Sequence, residues 1–135
     1  MLYKVKHFKL KEFACPDCGK TRVAIPLVFW LDQIRCAIGA PVIVNSGYRC
    51  MTRNKDVGGS ATSRHMIGCG ADIKLGMSLT SPAGFLSHSN FLALVKRFLI
   101  DGSELVDYPK QGYIHFGVPR DCADRMWDGG EVVKL

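Results

Sequence analysis

Ser63-Arg64-His65-Met66-Ile67-Gly68-Cys69-Gly70-Ala71-Asp72-Ile73 is the stretch from which the rest of the chain can be read. It begins in a segment rich in Gly, Ser, Thr and Arg, and it ends in the apolar run of a strand over residues 71–75. His65 falls in the irregular part and Asp72 in the strand. Gly68 and Gly70 let the chain turn tightly between them, so both side chains can face one point. Imidazole nitrogen and carboxylate oxygen both suit zinc, which in catalytic sites takes three protein ligands and keeps a fourth position for water. A third donor must come from elsewhere.

Upstream, Pro26 suits the first position of a helix. Leu27, Leu31, Ile34 and Ile38 follow on one helical face, Gly39 fits its end, and Pro41 prevents continuation. Residues 42–44 are a β-branched strand that leaves through the loop Asn45-Ser46-Gly47-Tyr48-Arg49. Residues 50–70 show little periodicity, and irregular stretches of that length are usually functional or disordered. Downstream, Ser89 is placed to cap a helix carrying Phe91, Leu92, Leu94, Val95, Phe98 and Leu99. Residues 113–118 form a third strand, in which Tyr113, His115 and Gly117 share a face. If that strand pairs with the one bearing Asp72, His115 completes a three-donor set. Residues 109–112 read as a turn that folds a strand bearing Asp107 back beside His115, and residues 131–134 form a further strand. This order predicts an α+β fold, a mostly antiparallel central sheet with flanking helices, in one domain over residues 1–135.

Composition agrees with a packed domain: 135 residues, 47% hydrophobic and 22% charged. No apolar run approaches the ~20 residues of a membrane helix, and the N-terminus lacks the apolar core of a secretory signal. A net charge of +6, crowded at Lys4, Lys6, Lys9, Lys11, Lys20 and Arg22, suits anionic partners without choosing among them. A nucleic-acid module is not expected, because a complete zinc finger, an aromatic RNA-binding strand and a basic helix are all missing. With no signal peptide, the six cysteines are expected as reduced thiols. Cys15-Pro16-Asp17-Cys18-Gly19 is a tight turn and half of a structural zinc site; a second Cys-x-x-Cys is absent. His7 and His88 sit in a basic segment and a Ser-rich loop, without ligand-like surroundings.

The run Ser46-Gly47-Tyr48-Arg49, Asn54, Val57-Gly58-Gly59, Ser63-x-His65-x-x-Gly68 and Ala71-Asp72-Ile73 resembles the zinc D-Ala-D-Ala carboxypeptidases and L-alanyl-D-glutamate endopeptidases. These are peptidoglycan peptidases related in fold to the hedgehog signalling domain. Tyr113-Ile114-His115-Phe116-Gly117 is similar to the family's aromatic-x-His strand, and the resemblance spans about residues 8–118. It implies His65, Asp72 and His115 as ligands of one Zn2+, Arg49 as the group that meets substrate and developing oxyanion, and Ser63 and Tyr113 beside the substrate. It also implies a glutamate shortly before the third ligand as the base. Here the chain departs: no Glu lies in the ten residues before His115. Asp107 is nearest to the expected place, Glu104 is the competitor, and strict alignment puts Tyr108 there. Gly70, where the family commonly has Ala, is a mild departure. The implied function is hydrolysis of stem-peptide amides by a monomer, of phage-lysin or wall-remodelling type, held in host cytoplasm before release to the wall if phage-like. A zinc-binding domain without activity, acting through a partner as hedgehog relatives do, is the alternative.

Overall fold

In the computed structural model, residues 1–76 and 87–135 are described. The elements are β1 (Leu2–Tyr3), α1 (Ile25–Ile38), β2 (Val42–Ser46), α2 (Met51–Asp56), β3 (Gly70–Leu75), α3 (His88–Lys96), β4 (Glu104–Tyr108), β5 (Tyr113–Gly117) and β6 (Val132–Val133). The fold is α+β. Its main sheet has the order β2-β3-β5-β4 with every neighbouring pair antiparallel.

Helix α1 starts where Pro26 allows and stops at Gly39, whose φ of 67° is the left-handed cap the sequence predicts. Leu27, Leu31 and Ile34 are fully buried, and Trp30 and Phe98 bring the α3 side against α1. Helix α3 begins two residues before its expected start: Ser87, not Ser89, is the cap, its hydroxyl accepting from Asn90 N at 3.0 Å. His88 therefore lies on a helix rather than in a loop. Strands β3 and β5 alternate: Ala71, Ile73, Ile114 and Phe116 face the helices and are fully buried. Gly70, Asp72, Tyr113, His115 and Gly117 face the other way.

Two expectations are corrected. The C-terminal strand does not join the main sheet; β6 pairs with β1 in a separate two-stranded ribbon. The stretch 50–70 is not irregular throughout. It contains α2 and a 3-10 turn, Arg64–Ile67, and Asn54 is buried with its Nδ2 donating to Ser60 O at 2.8 Å. Among the described residues, no helix is long and apolar enough to cross a membrane.

Candidate metal centre

Asp72 and His115 sit directly opposite one another in the β3–β5 ladder, so their side chains leave the sheet on the same face. His65 is brought over them by the 3-10 turn. Ser63 caps that turn, its Oγ accepting from His65 N at 3.2 Å, and Gly68 closes it at φ 74°. All three side chains are buried. His65 Nε2 is 3.1 Å from Asp72 Oδ1, His115 Nδ1 is 3.0 Å from the same oxygen, and the two ring nitrogens are 3.2 Å apart.

What the rings do at their other ends decides what this triangle is. His65 Nδ1 lies 2.7 Å from Gly47 O, a carbonyl that can only accept, so this nitrogen carries the proton and Nε2 presents a lone pair. His115 Nε2 lies 2.5 Å from Glu104 Oε1; when it donates there, Nδ1 presents a lone pair. Two nitrogen lone pairs and a carboxylate oxygen then point at one another, an arrangement that needs a cation between them. The spacings are close to the ~3.4 Å edge of a tetrahedron with bonds of ~2.1 Å, so the donor set fits a metal. Burial opposes a charged His115, but the hydrogen bond and charge of Asp72, with those of Glu104, raise its pKa above the usual value. Burial likewise works against ionised Asp72, yet hydrogen bonds from His115 and His65 and their charge hold it well below the usual carboxylate range.

The triangle forms the floor of a cleft of about 420 Å3. Arg49 lies in its wall, fixed by Nε to Ser46 Oγ at 3.1 Å and Nη2 to Asp72 Oδ2 at 3.2 Å. Tyr113 stacks on Tyr108, ring centroids 4.6 Å apart, and both face the cleft. Burial and the Asp72 charge raise the Tyr113 hydroxyl pKa.

Of the two candidate bases, the structure brings one to the site. In the β4–β5 hairpin Val106 lies opposite His115 and Glu104 opposite Gly117, so Glu104, Val106 and Tyr108 share the cleft face. Asp107 lies opposite Ile114, on the helix side, where its Oδ1 meets His88 Nε2 at 2.6 Å. The preference for Asp107 is therefore corrected to Glu104, because the parity of the strand turns Asp107 away. Arg64 went unread in the sequence, since it is simply the residue between Ser63 and His65. Its Nη1 donates to Gly102 O and Val118 O at 2.7 and 2.9 Å, and its Nε stands 3.6 Å from Glu104 Oε2. Gly47 belongs to the Ser46–Arg49 motif, but its role here was not legible, because its contribution is a backbone carbonyl. Gly70 is not a mild departure in this chain. A Cβ there would stand 2.9 Å from His115 Cε1 and 3.1 Å from Arg64 Cβ.

The Peptidase M15 family profile matches residues 6–93, which include Arg49, His65 and Asp72 and stop short of Glu104 and His115. The zinc D-Ala-D-Ala carboxypeptidase of Streptomyces albus G is 43% identical over 54 residues, 39% of this chain and 21% of that protein. The chain thus matches about a fifth of the length of that relative. No solved structure matches it. The profile spans well over half of the 135 residues, and on that extent the chain belongs to the Peptidase M15 family.

Proposed function

We propose that this chain is a zinc-dependent peptidase that hydrolyses amide bonds in peptidoglycan stem peptides. The observation that supports the reading is the convergence of three lone pairs, from His65 Nε2, Asp72 Oδ1 and His115 Nδ1, on the floor of a cleft that also holds Arg49 and Glu104. These three atoms would hold zinc, the metal that the donor set and the family support. When bound, zinc supplies a Lewis acid for the scissile carbonyl and lowers the pKa of the attacking water.

The rest of the chemistry falls to the chain's own groups. Asp72 and Glu104 are the carboxylates of the cleft among the described residues, and Asp72 is committed to the centre. Glu104 is the group to take a proton from the water and return it to the leaving amine. Arg49 is held in place before substrate arrives, so its guanidinium meets a substrate carboxylate or a developing oxyanion without reorganisation. Tyr113 and Tyr108 give the peptide an aromatic wall. Ser63 acts by holding the turn that carries His65. The wall-peptide substrate rests on the motifs and on the relative's name, which leave both D-Ala-D-Ala and L-Ala-D-Glu bonds as targets. On this reading the protein is a monomer that acts as a phage-type lysin or a wall-remodelling enzyme and, if phage-like, is kept in host cytoplasm until it reaches the wall.

One observation favours a second reading, a zinc-binding domain without turnover. Glu104 is already engaged by His115 and lies near Arg64. The test is incubation of the zinc-loaded protein with wall fragments carrying both bonds, products being identified by mass. Turnover that is lost in His65→Ala together with the metal supports the peptidase. Zinc binding with neither bond cut transfers the chain to the second reading.

A further inference from the structure

Residues 14–21 fold back on themselves beside the Ser46–Arg49 loop. Ala14 bridges Thr21, Cys15 N donates to Lys20 O at 2.8 Å, and Gly19, at φ 74°, donates its N–H to Cys15 O at 2.9 Å. This turn sets Cys15 beside Cys18. Cys50 arrives from 35 residues away because Tyr48 N donates to Phe13 O at 2.8 Å. Gly47 also packs so close that a Cβ there would lie 2.6 Å from Phe13 Cα. The Cys15 and Cys50 sulfurs are 3.6 Å apart, and all three Sγ atoms lie within 4.8 Å of one another. The edge of a tetrahedron of Zn–S bonds, each ~2.3 Å, is about 3.8 Å.

We propose that Cys15, Cys18 and Cys50 form a second, structural metal site that takes one Zn2+ through three thiolates, with solvent as the fourth donor. Three thiols converge, whereas a disulfide would use two and strand the third. Backbone amides of Cys50, Cys18 and Asp17 are directed at the Cys15 sulfur, a setting that suits an anionic ligand atom. The Arg53 amide donates to Cys50 Sγ at 3.5 Å. Thiolates this close repel one another, and a dication between them removes the repulsion.

The site's place in the fold gives it a task. Cys50 directly follows Arg49, Arg49 N donates to His65 O at 3.1 Å, and Gly47 O holds the His65 ring. A metal on the three sulfurs fastens the segment around Phe13 to the loop that positions both residues. Titration of reduced, metal-free protein with Co2+ tests this. The expected result is a thiolate-to-cobalt charge-transfer band whose full amplitude corresponds to one Co2+ per chain, with a second Co2+ taken by the His65 centre outside the band, and three thiols that become reactive only after chelation. The exposed Cys18→Ser should abolish or strongly weaken the band and keep binding at the His65 centre, while His65→Ala should keep the band. The separate readouts distinguish failure of this site from failure of the first. Absence of the band in wild-type protein with six titratable thiols overturns the proposal, as does a Cys15–Cys50 disulfide that forms in place of metal binding.

Discussion

Asp72 divides its two oxygens between two tasks, Oδ1 toward the histidines and Oδ2 toward Arg49. Arg49 in turn has Ser46 on Nε. A lysine would keep the charge but lose the planar fork that makes these contacts together. Arg49→Lys should therefore fold and bind zinc while kcat/KM on wall peptides falls about 10²–10³-fold, the range for loss of one oriented donor. The Glu104 carboxylate is the sharper case, because it can serve as a base or merely orient the His115 ring. Glu104→Gln should retain zinc and lose at least about tenfold in kcat at saturating metal, since a positioned base contributes ~10²–10⁴-fold. A loss confined to zinc affinity would leave Glu104 as a positioning residue. Asp107→Asn, made beside it, should change turnover less than twofold, because Asp107 meets His88 on the other face of the sheet.

Among the elements, β3 and its neighbours place the site, and close contacts there tolerate little. Gly70→Ala puts a methyl 2.9 Å from the His115 ring, which Glu104 and Asp72 hold in place. Zinc affinity, read by competition with a chelator, should fall at least about tenfold while α1 and the core stay intact; unchanged affinity would show that the ring can move. Much of this level was legible in the sequence. The α1 boundaries follow from Pro26 and Gly39, and the meeting of Asp72 with His115 follows from period-two strands that bear one donor each. The choice between Glu104 and Asp107 was not legible, because parity needs the closing pair of the hairpin. That pair is Tyr108 with Tyr113, closed by Gly112 at φ 75° whose N–H donates to Tyr108 O at 2.9 Å, and a four-residue link does not announce which residues pair across it. Helix α2 was hidden for a related reason. Six residues carry no period, and local bonds of Asn54 to Ser60 and Gly59 close the turn that follows them.

At the scale of the molecule, the N-terminus is tied to the core through one buried carboxylate. Asp32, on α1 and fully buried, accepts from Tyr3 Oη at 2.6 Å and from Lys6 N and His7 N at 3.0 Å each. Asp32→Ala leaves three donors without a partner and should cost about 3 kcal/mol, since hydrogen bonds to a charged group contribute ~1.5–3 kcal/mol each and some donors regain water. Denaturant unfolding would measure it. The same variant should keep zinc, because β1 and the cleft share no residue. A cleft that emptied in this variant would show that the two ends of the molecule are coupled.

The strand order has a kinetic corollary. Strand β3 lies between β2 and β5, whereas β4 stands at the border of the sheet with, among the described residues, no strand on its far side. Amide protons of Ala71 and Ile73 should exchange with deuterium only when the whole molecule opens, and those of β4 should exchange orders of magnitude sooner, through local fraying. On that expectation Glu104 rides on the strand that opens first and Asp72 on the one that opens last, so the carboxylate would leave His115 for a bound peptide without the donor triangle loosening.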